Sequence, residues 1–242
     1  MPIKRPPLVN GEIYHIVLRG VDGRLIFEDN ADYYRAIHDL FEFNDESPAD
    51  WSYRRFHSFS KNSVRENNSE TQFENSSRAI KKRKLLLKIL AFCLMPNHIH
   101  LLFQQLRSQG ITKFMRKFGA GYGGYFNRKY TRQGHLFQGR FRAVLIKTND
   151  QLKNVFVYIH TNPVSLIEPE WKNGKIKSPS RAIEMVEQYK WSSYKDYLGE
   201  RNFPSITQRE LYIDIMPKEE WRILTNEWIR GKWIDFNDVV LE

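Results

Sequence analysis

The sequence predicts an α+β fold: one antiparallel sheet of four strands with helices packed on one of its faces. Two observations support this class. Strand-like and helix-like segments follow one another in the order β-α-β-β-α-β before a further helix, and the two middle strands are joined by a turn too short for a crossover. This order is the split βαβ arrangement, and it leaves the second face of the sheet open for a ligand.

The first half of the pattern is read from three stretches. EIYHIVLRG (12–20) alternates and is rich in β-forming residues, and NADYYRAIHDLFEFN (30–44) carries an apolar stripe at helical spacing. LLLKILAFCLM and HIHLLFQQ (85–105) then predict two strands joined at Met95-Pro96-Asn97. We therefore expect a strand, a helix and a β-hairpin.

The second half continues with helix, strand and helix. ITKFMRKFGAGYGGYFNRKY (111–130) has helical spacing, with glycines that weaken the helix or let another backbone approach. FRAVLIKT (141–148) predicts the fourth strand. NDQLKNVFVYIHTN predicts a helix that begins at Asn149 or Asp150 as N-cap and is closed by Pro163, which disfavours helical geometry at Asn162.

The chain of 242 residues is large enough for one sizeable core with appendages. We expect residues 1–198 to form the main domain, with the polar stretch 45–78 as a flexible insertion. Residues 199–242 hold nine acids and six bases and predict an accessory helical tail. The start lacks an apolar h-region, and the longest apolar stretch carries Lys88, so we expect a cytoplasmic protein with no membrane partner. The lone Cys93 predicts a buried, inert thiol.

The distribution of charge points to nucleic acid. The formal charge is +10, and residues 75–149 contain sixteen Lys and Arg but no Asp or Glu. Such a stretch repels itself unless an anion lies on it. Aromatic residues between the charges are interpreted as stacking platforms for bases: Tyr122, Tyr125, Phe126, Tyr130, Phe137 and Phe141. The alternative is a solvated basic face without a ligand.

A pair of histidines and a tyrosine carry the candidate chemistry. His98 and His100 stand two apart on a strand, so they project from the same face and can hold one divalent metal. Tyr158 and Asn162, four apart, share one flank of a helix. A metal held by both imidazoles and the Asn162 oxygen would position a phosphate for the phenol, whose ordinary pKa is about 10. Taken singly, each residue also fits an ordinary structural role.

Four motifs in this order resemble a known family. MPNHIHLLF resembles the histidine-hydrophobe-histidine (HUH) signature of single-tyrosine transposases. YFNRKYTRQGHLFQGRFRAVLI, YIHTNPV and YKWSSYKDYL look like the REP-associated tyrosine transposase branch, over roughly 11–198. The resemblance implies a ferredoxin-like catalytic domain, with His98 and His100 as metal ligands, Asn162 completing the set and Tyr158 as nucleophile. It further implies Mg²⁺ or Mn²⁺, and cleavage of single-stranded DNA at hairpins through a covalent 5′-phosphotyrosine that leaves a free 3′-hydroxyl.

Basic residues near the predicted site are expected to bind the DNA backbone. Arg140 and Arg142 alternate outward on the fourth predicted strand, with Lys147 near its end, and Lys113, Arg116 and Lys117 extend this surface. A surface salt bridge is the alternative for Arg140. No general base is identified, because His160 lies about 200° around the helix from Tyr158.

Two other functions stay open. A non-catalytic nucleic-acid-binding module could use the same sheet and basic surface, and a hydrolytic metallonuclease could use the histidine pair without Tyr158. Replacing Tyr158 with Phe separates these hypotheses. A monomer is expected rather than a homodimer.

Overall fold

A computed structural model describes residues 5–47, 83–171 and 175–231. The predicted flexible insertion at 45–78 lies almost wholly outside these residues, as does the tail beyond residue 231. Within the described ranges, no helix is both long and apolar enough to cross a bilayer.

Four strands form the central sheet: β1 (Ile13–Arg19), β2 (Leu87–Met95), β3 (His98–Gln105) and β4 (Arg142–Ile146). They lie in the order β2-β3-β1-β4, and each neighbouring pair is antiparallel. The predicted α+β class and split βαβ topology are confirmed. β4 is shorter than predicted, so Arg140 precedes this strand rather than lying on it.

Two helices cover the first face of the sheet: α1 (Asn30–Glu42) and α2 (Gly110–Lys129). Their apolar sides share a core with Ile99 and Phe103 of β3. The glycine run of α2 has a packing reason at one position, because a Cβ on Gly121 would lie 2.3 Å from the Phe43 ring. An aromatic side chain, and not another backbone, makes the close approach that this glycine allows.

The second face is also covered. It carries α3 (Asn149–Thr161), a 3₁₀ turn (Asn162–Leu166) and the later helices α4 (Pro179–Gln188), α5 (Tyr194–Tyr197), α6 (Glu210–Ile215) and α7 (Lys218–Ile229). Leu90, Cys93 and Leu102 of the sheet share a second core with these helices. The expectation of an open second face is therefore wrong. The apolar stripe of α3 needs the sheet on one side, and the tail helices bury what remains.

The two ends of α3 differ slightly from the prediction. Thr148 is the N-cap, and its hydroxyl accepts from the Gln151 N–H at 3.1 Å. Asn162 keeps helical backbone angles (φ −51°, ψ −37°), because the chain passes into a 3₁₀ turn at Pro163 instead of stopping. This continuation holds the Asn162 side chain against the last turn of α3.

The WSSY segment (191–194) covers the outer edge of β2. The Leu94 N–H donates to the Trp191 carbonyl at 2.8 Å, and the Ser193 N–H donates to the Phe92 carbonyl at 3.0 Å. An uncovered edge strand would be open to pairing with another chain. The segment also buries Cys93 as predicted, and burial raises the pKa of its thiol.

Candidate active site

The histidine pair lies on the second face of the sheet, beneath α3. His98 and His100 are 8% and 0% exposed, and their ring centroids are 4.8 Å apart at an angle of 82°. Ile99 between them belongs to the core of the first face. The period of two along a strand therefore places both imidazoles on one side, as predicted.

Tyr158 lies directly against this pair. Its ring centroid is 5.5 Å from that of His100, at an angle of 88°, and Trp171 stacks on it from another side at 6.0 Å. Burial raises the pKa of Tyr158, while the charge of Arg19 and the amide of Asn162 act to lower it. The phenol is thus held protonated, with a cation near enough to stabilise the phenolate.

Asn162 stands one helical turn beyond Tyr158. Its amide nitrogen donates to the Tyr158 carbonyl at 2.7 Å, which fixes the orientation of the amide. Within the described residues, the Asn162 Oδ1 atom is buried without a hydrogen-bond partner. A buried amide oxygen in that state carries a desolvation cost unless a ligand accounts for it.

The tautomer of His98 is set by its neighbour Asn97. The two side chains are joined by a hydrogen bond of 2.7 Å between His98 Nδ1 and Asn97 Oδ1. The amide of Asn97 is oriented by its other end, because its Nδ2 atom donates to the Gly23 carbonyl at 3.2 Å. Since an amide oxygen only accepts, the hydrogen belongs to Nδ1, and Nε2 of a neutral His98 ring carries the lone pair.

His15 is part of the same cluster, although the sequence reasoning did not select it. His15 Nε2 and His100 Nδ1 are 3.0 Å apart, and the centroids of the two rings are 5.3 Å apart. The His15 ring is also 5.8 Å from that of Tyr158. A usable signal was present, because in YHIVLR the alternation of β1 puts His15 and Arg19 on one face.

The strand register aligns two arginines with the histidines. Arg19 lies opposite His98, and Val17 lies opposite both His100 on β3 and Arg142 on β4. Directly opposed residues share a face of the sheet. Arg19 is therefore a second residue that the sequence reasoning missed, and Arg142 lies on the same face as the histidines.

The other predicted DNA contacts are spread over two sides of the molecule. Arg140 and Lys147 are exposed on the segments that flank β4. Lys113, Arg116 and Lys117 lie on α2, across the sheet from Tyr158. The Lys117 ammonium donates to the carbonyls of Asp45 at 2.5 Å and Ser47 at 2.7 Å. The six residues consequently do not form the continuous surface that was expected.

The interpretation of the aromatic residues as stacking platforms is wrong for Tyr122 and Phe126 of α2. Tyr122 and Phe126 are fully buried in the first core. Tyr125 and Tyr130 donate to the buried Asp32 carboxylate at 3.0 and 2.8 Å. In this stretch some aromatic rings fill the core, while Tyr125, Tyr130 and Lys129 bind a buried internal carboxylate.

His160 has a structural role. Its Nδ1 lies 2.9 Å from the Phe156 carbonyl and its Nε2 lies 2.8 Å from the Ser193 hydroxyl. Burial lowers the pKa of His160 to about 3. The ring ties α3 to the segment that covers β2.

The candidate donors fit a divalent metal ion. No three His, Cys, Asp or Glu side chains group into a metal site in the ranges that the structure describes. The candidate metal ligands are instead two imidazoles and one amide oxygen. Imidazole nitrogens and a neutral amide oxygen are suitable ligands for a divalent cation, and a set of three leaves positions open for substrate.

Fold and site together define a class of protein in which an antiparallel sheet presents two imidazoles to a buried phenol on the helix that covers it. Residues 56–162 match the family model described as "Transposase IS200 like", and this stretch includes all four central residues, His98, His100, Tyr158 and Asn162. The predicted resemblance to the single-tyrosine transposases is thereby confirmed.

Among solved structures, the chain is similar to one described as the REP-associated tyrosine transposase bound to a REP hairpin. The identity is 14%, the match covers 87% of this chain and 96% of that chain, and the TM-score is 0.47. No curated protein matches the sequence.

Proposed function

We propose that this protein is a metal-dependent endonuclease and strand transferase of single-stranded DNA, of the REP-associated branch, which acts at DNA hairpins through a covalent 5′-phosphotyrosine. The observation that carries the proposal is the position of the Tyr158 ring, 5.5 Å from the ring of His100. A buried tyrosine with only a packing role has no need of two imidazoles and an amide oxygen beside it.

His98, His100 and Asn162 would hold the metal ion, Mg²⁺ or Mn²⁺. The two histidines would bind through Nε2, since Nδ1 of each ring is engaged by Asn97 or His15. When bound, such an ion polarises a phosphodiester and neutralises part of its charge. The nucleophile and the charged residues around it belong to the protein.

Tyr158 supplies the nucleophile. Its phenolic oxygen forms a bond to the phosphorus as the bond from phosphorus to the 3′ oxygen of the preceding nucleotide breaks. The leaving 3′ oxygen takes the electron pair and gains one proton, while the phenol loses one. One phosphodiester is exchanged for another, so attack by a 3′-hydroxyl on the tyrosyl ester can rejoin the strands.

The arginines that share this face would hold the DNA. Arg19 and Arg142 flank the histidine pair in the strand register, and Arg140 and Lys147 continue the basic surface around β4. Contacts of this type fix the path of the backbone and carry no sequence information. Lys113, Arg116 and Lys117 would contact a different part of the DNA, because α2 lies across the sheet. The expected monomer and the cytoplasmic location stay predictions.

The experiment uses the full chain with Mn²⁺ and hairpin-forming single-stranded DNA from the flanks of its own gene. The wild type should yield a DNA-protein complex that survives denaturant. Tyr158→Phe should bind the hairpin with unchanged affinity and yield none. Tyr212→Phe is the matched control, because this fully buried tyrosine of the same layer donates to the Leu152 carbonyl and should leave the complex intact.

The outcomes separate the three functions. Binding by the wild type without any covalent complex would favour the non-catalytic module. Cleavage that persists in Tyr158→Phe would favour the hydrolytic metallonuclease. Only loss of both complex and cleavage in Tyr158→Phe, with binding kept, supports the proposed transferase.

A further inference from the structure

We infer that His15 is a positioning residue that holds His100 in the tautomer able to bind a metal ion. The inference rests on the proposed function, because it assigns a task within the proposed metal site. It concerns a residue of β1, a strand to which neither the motifs nor the family match gives a role.

The hydrogen bond between the rings has one direction that permits metal binding. His15 Nε2 and His100 Nδ1 are 3.0 Å apart, and both side chains are fully buried. If Nδ1 of His100 donates, its Nε2 carries the lone pair that a metal requires. If His15 donates instead, the hydrogen of a neutral His100 lies on Nε2 and blocks coordination.

The packing keeps the two rings in this relation. Because Val17 lies opposite His100 and His15 opposite Leu102, His15 is the diagonal neighbour of His100 on the same face. The planes of the two imidazoles are inclined by only 21°, as an in-plane hydrogen bond requires, and the Tyr158 ring meets His15 edge-on at 75°. The acceptor is thus confined between β3 and α3, where it cannot swing away from His100.

His98 has the same kind of hydrogen bond at Nδ1, with a different acceptor. Its Nδ1 is bound by the Asn97 amide oxygen, so both histidines of the pair have a partner at Nδ1. Partners of this kind orient metal-binding imidazoles, and their loss costs metal affinity. An imidazole acceptor on β1 serves for His100 as the amide serves for His98.

The test measures Mn²⁺ binding to the full chain without DNA. His15→Leu should weaken binding by about 10- to 100-fold. His15→Gln, whose Oε1 can accept near the place of Nε2, should recover most of the affinity. The control is Ile16→Val, since Ile16 is fully buried in the core of the opposite face, and it should bind Mn²⁺ as the wild type does.

A second readout needs neither metal nor activity. Nitrogen-15 NMR of the histidine rings should find the hydrogen of wild-type His100 on Nδ1, and His15→Leu should lose this preference. Wild-type affinity in His15→Leu, or a hydrogen on Nε2 of His100, would overturn the inference even if the covalent DNA complex forms. A wild type that binds Mn²⁺ with the stated tautomer but forms no complex would refute the proposed function alone.

Discussion

At the scale of single residues, the site is marked by polar groups placed where apolar ones would pack at lower cost. Asn162 Oδ1 is buried without a hydrogen-bond partner among the described residues, and His15 and His100 are fully buried. Burying polar groups costs free energy unless partners or ligands compensate for it. Their concentration around one phenol is the pattern expected of a catalytic site.

Arg19 allows a prediction at this scale. It lies opposite His98, and its charge acts to lower the pKa of Tyr158, so it can stabilise the charge that develops on a phosphate and on the phenolic oxygen. Arg19→Gln should slow single-turnover formation of the covalent complex by about 100-fold. Arg19→Lys should keep part of the rate, because it keeps the charge.

Arg128→Gln controls for the loss of one positive charge, since this exposed residue belongs to α2 on the other face. Rapid-quench kinetics at saturating DNA measures the rate of covalent-complex formation for each variant. Equal rates in Arg19→Gln and the wild type would show that Arg19 does not stabilise the transition state.

At the scale of elements, the basic and aromatic motif of α2 serves the fold. Asp32 of α1 is fully buried and accepts from Lys129 at 2.7 Å, in addition to Tyr125 and Tyr130. Its carboxylate also accepts from the N–H of Glu28 at 2.9 Å, as part of the N-terminal cap of α1. One anion therefore fixes the start of α1 to the end of α2.

Asp32→Asn should lower the free energy of unfolding by about 2–3 kcal/mol, because it removes the charge that three side-chain donors share. Asp29→Asn is the control: its side chain is 52% exposed and Asn is an equally good N-cap, so the loss should stay below about 1 kcal/mol. Urea unfolding measures both. Equal losses would show that the buried carboxylate does not hold the helices together.

At the scale of the whole molecule, the tail belongs to the layer that covers the site. The ring centroids of Phe156 on α3 and Trp221 on α7 are 4.2 Å apart. Those of Trp228 on α7 and Trp171 are 5.2 Å apart. Trp171 in turn stacks on Tyr158. The boundary predicted at residue 198 thus separates segments that share a core.

The tail makes a measurable contribution to stability. Trp221→Ala should cost about 3–5 kcal/mol, as expected for a large side chain that is 1% exposed. Ile223→Ala on the same helix should change stability by less than about 0.5 kcal/mol, because Ile223 is 56% exposed. If Trp221→Ala has the same melting temperature as the wild type, α7 does not contribute to the stability of the core.

The sequence predicted the features that depend on local spacing. Alternation and helical stripes gave the order of strands and helices, and the period of two placed His98 and His100 on one face. His15 and Arg19 were missed because their neighbours arise from the register between β1 and β3, where Arg19 is 79 residues from His98 and His15 is 85 residues from His100. The covered second face was missed because an amphipathic tail helix does not encode which surface it will cover.

The most direct test of the account is to locate the covalent bond by mass spectrometry. After incubation with Mn²⁺ and hairpin DNA, and digestion of both polymers, the account predicts a 5′-phosphonucleotide on the peptide that contains Tyr158. A nucleotide on any other residue, or cleaved DNA with no nucleotide on the protein, would contradict it.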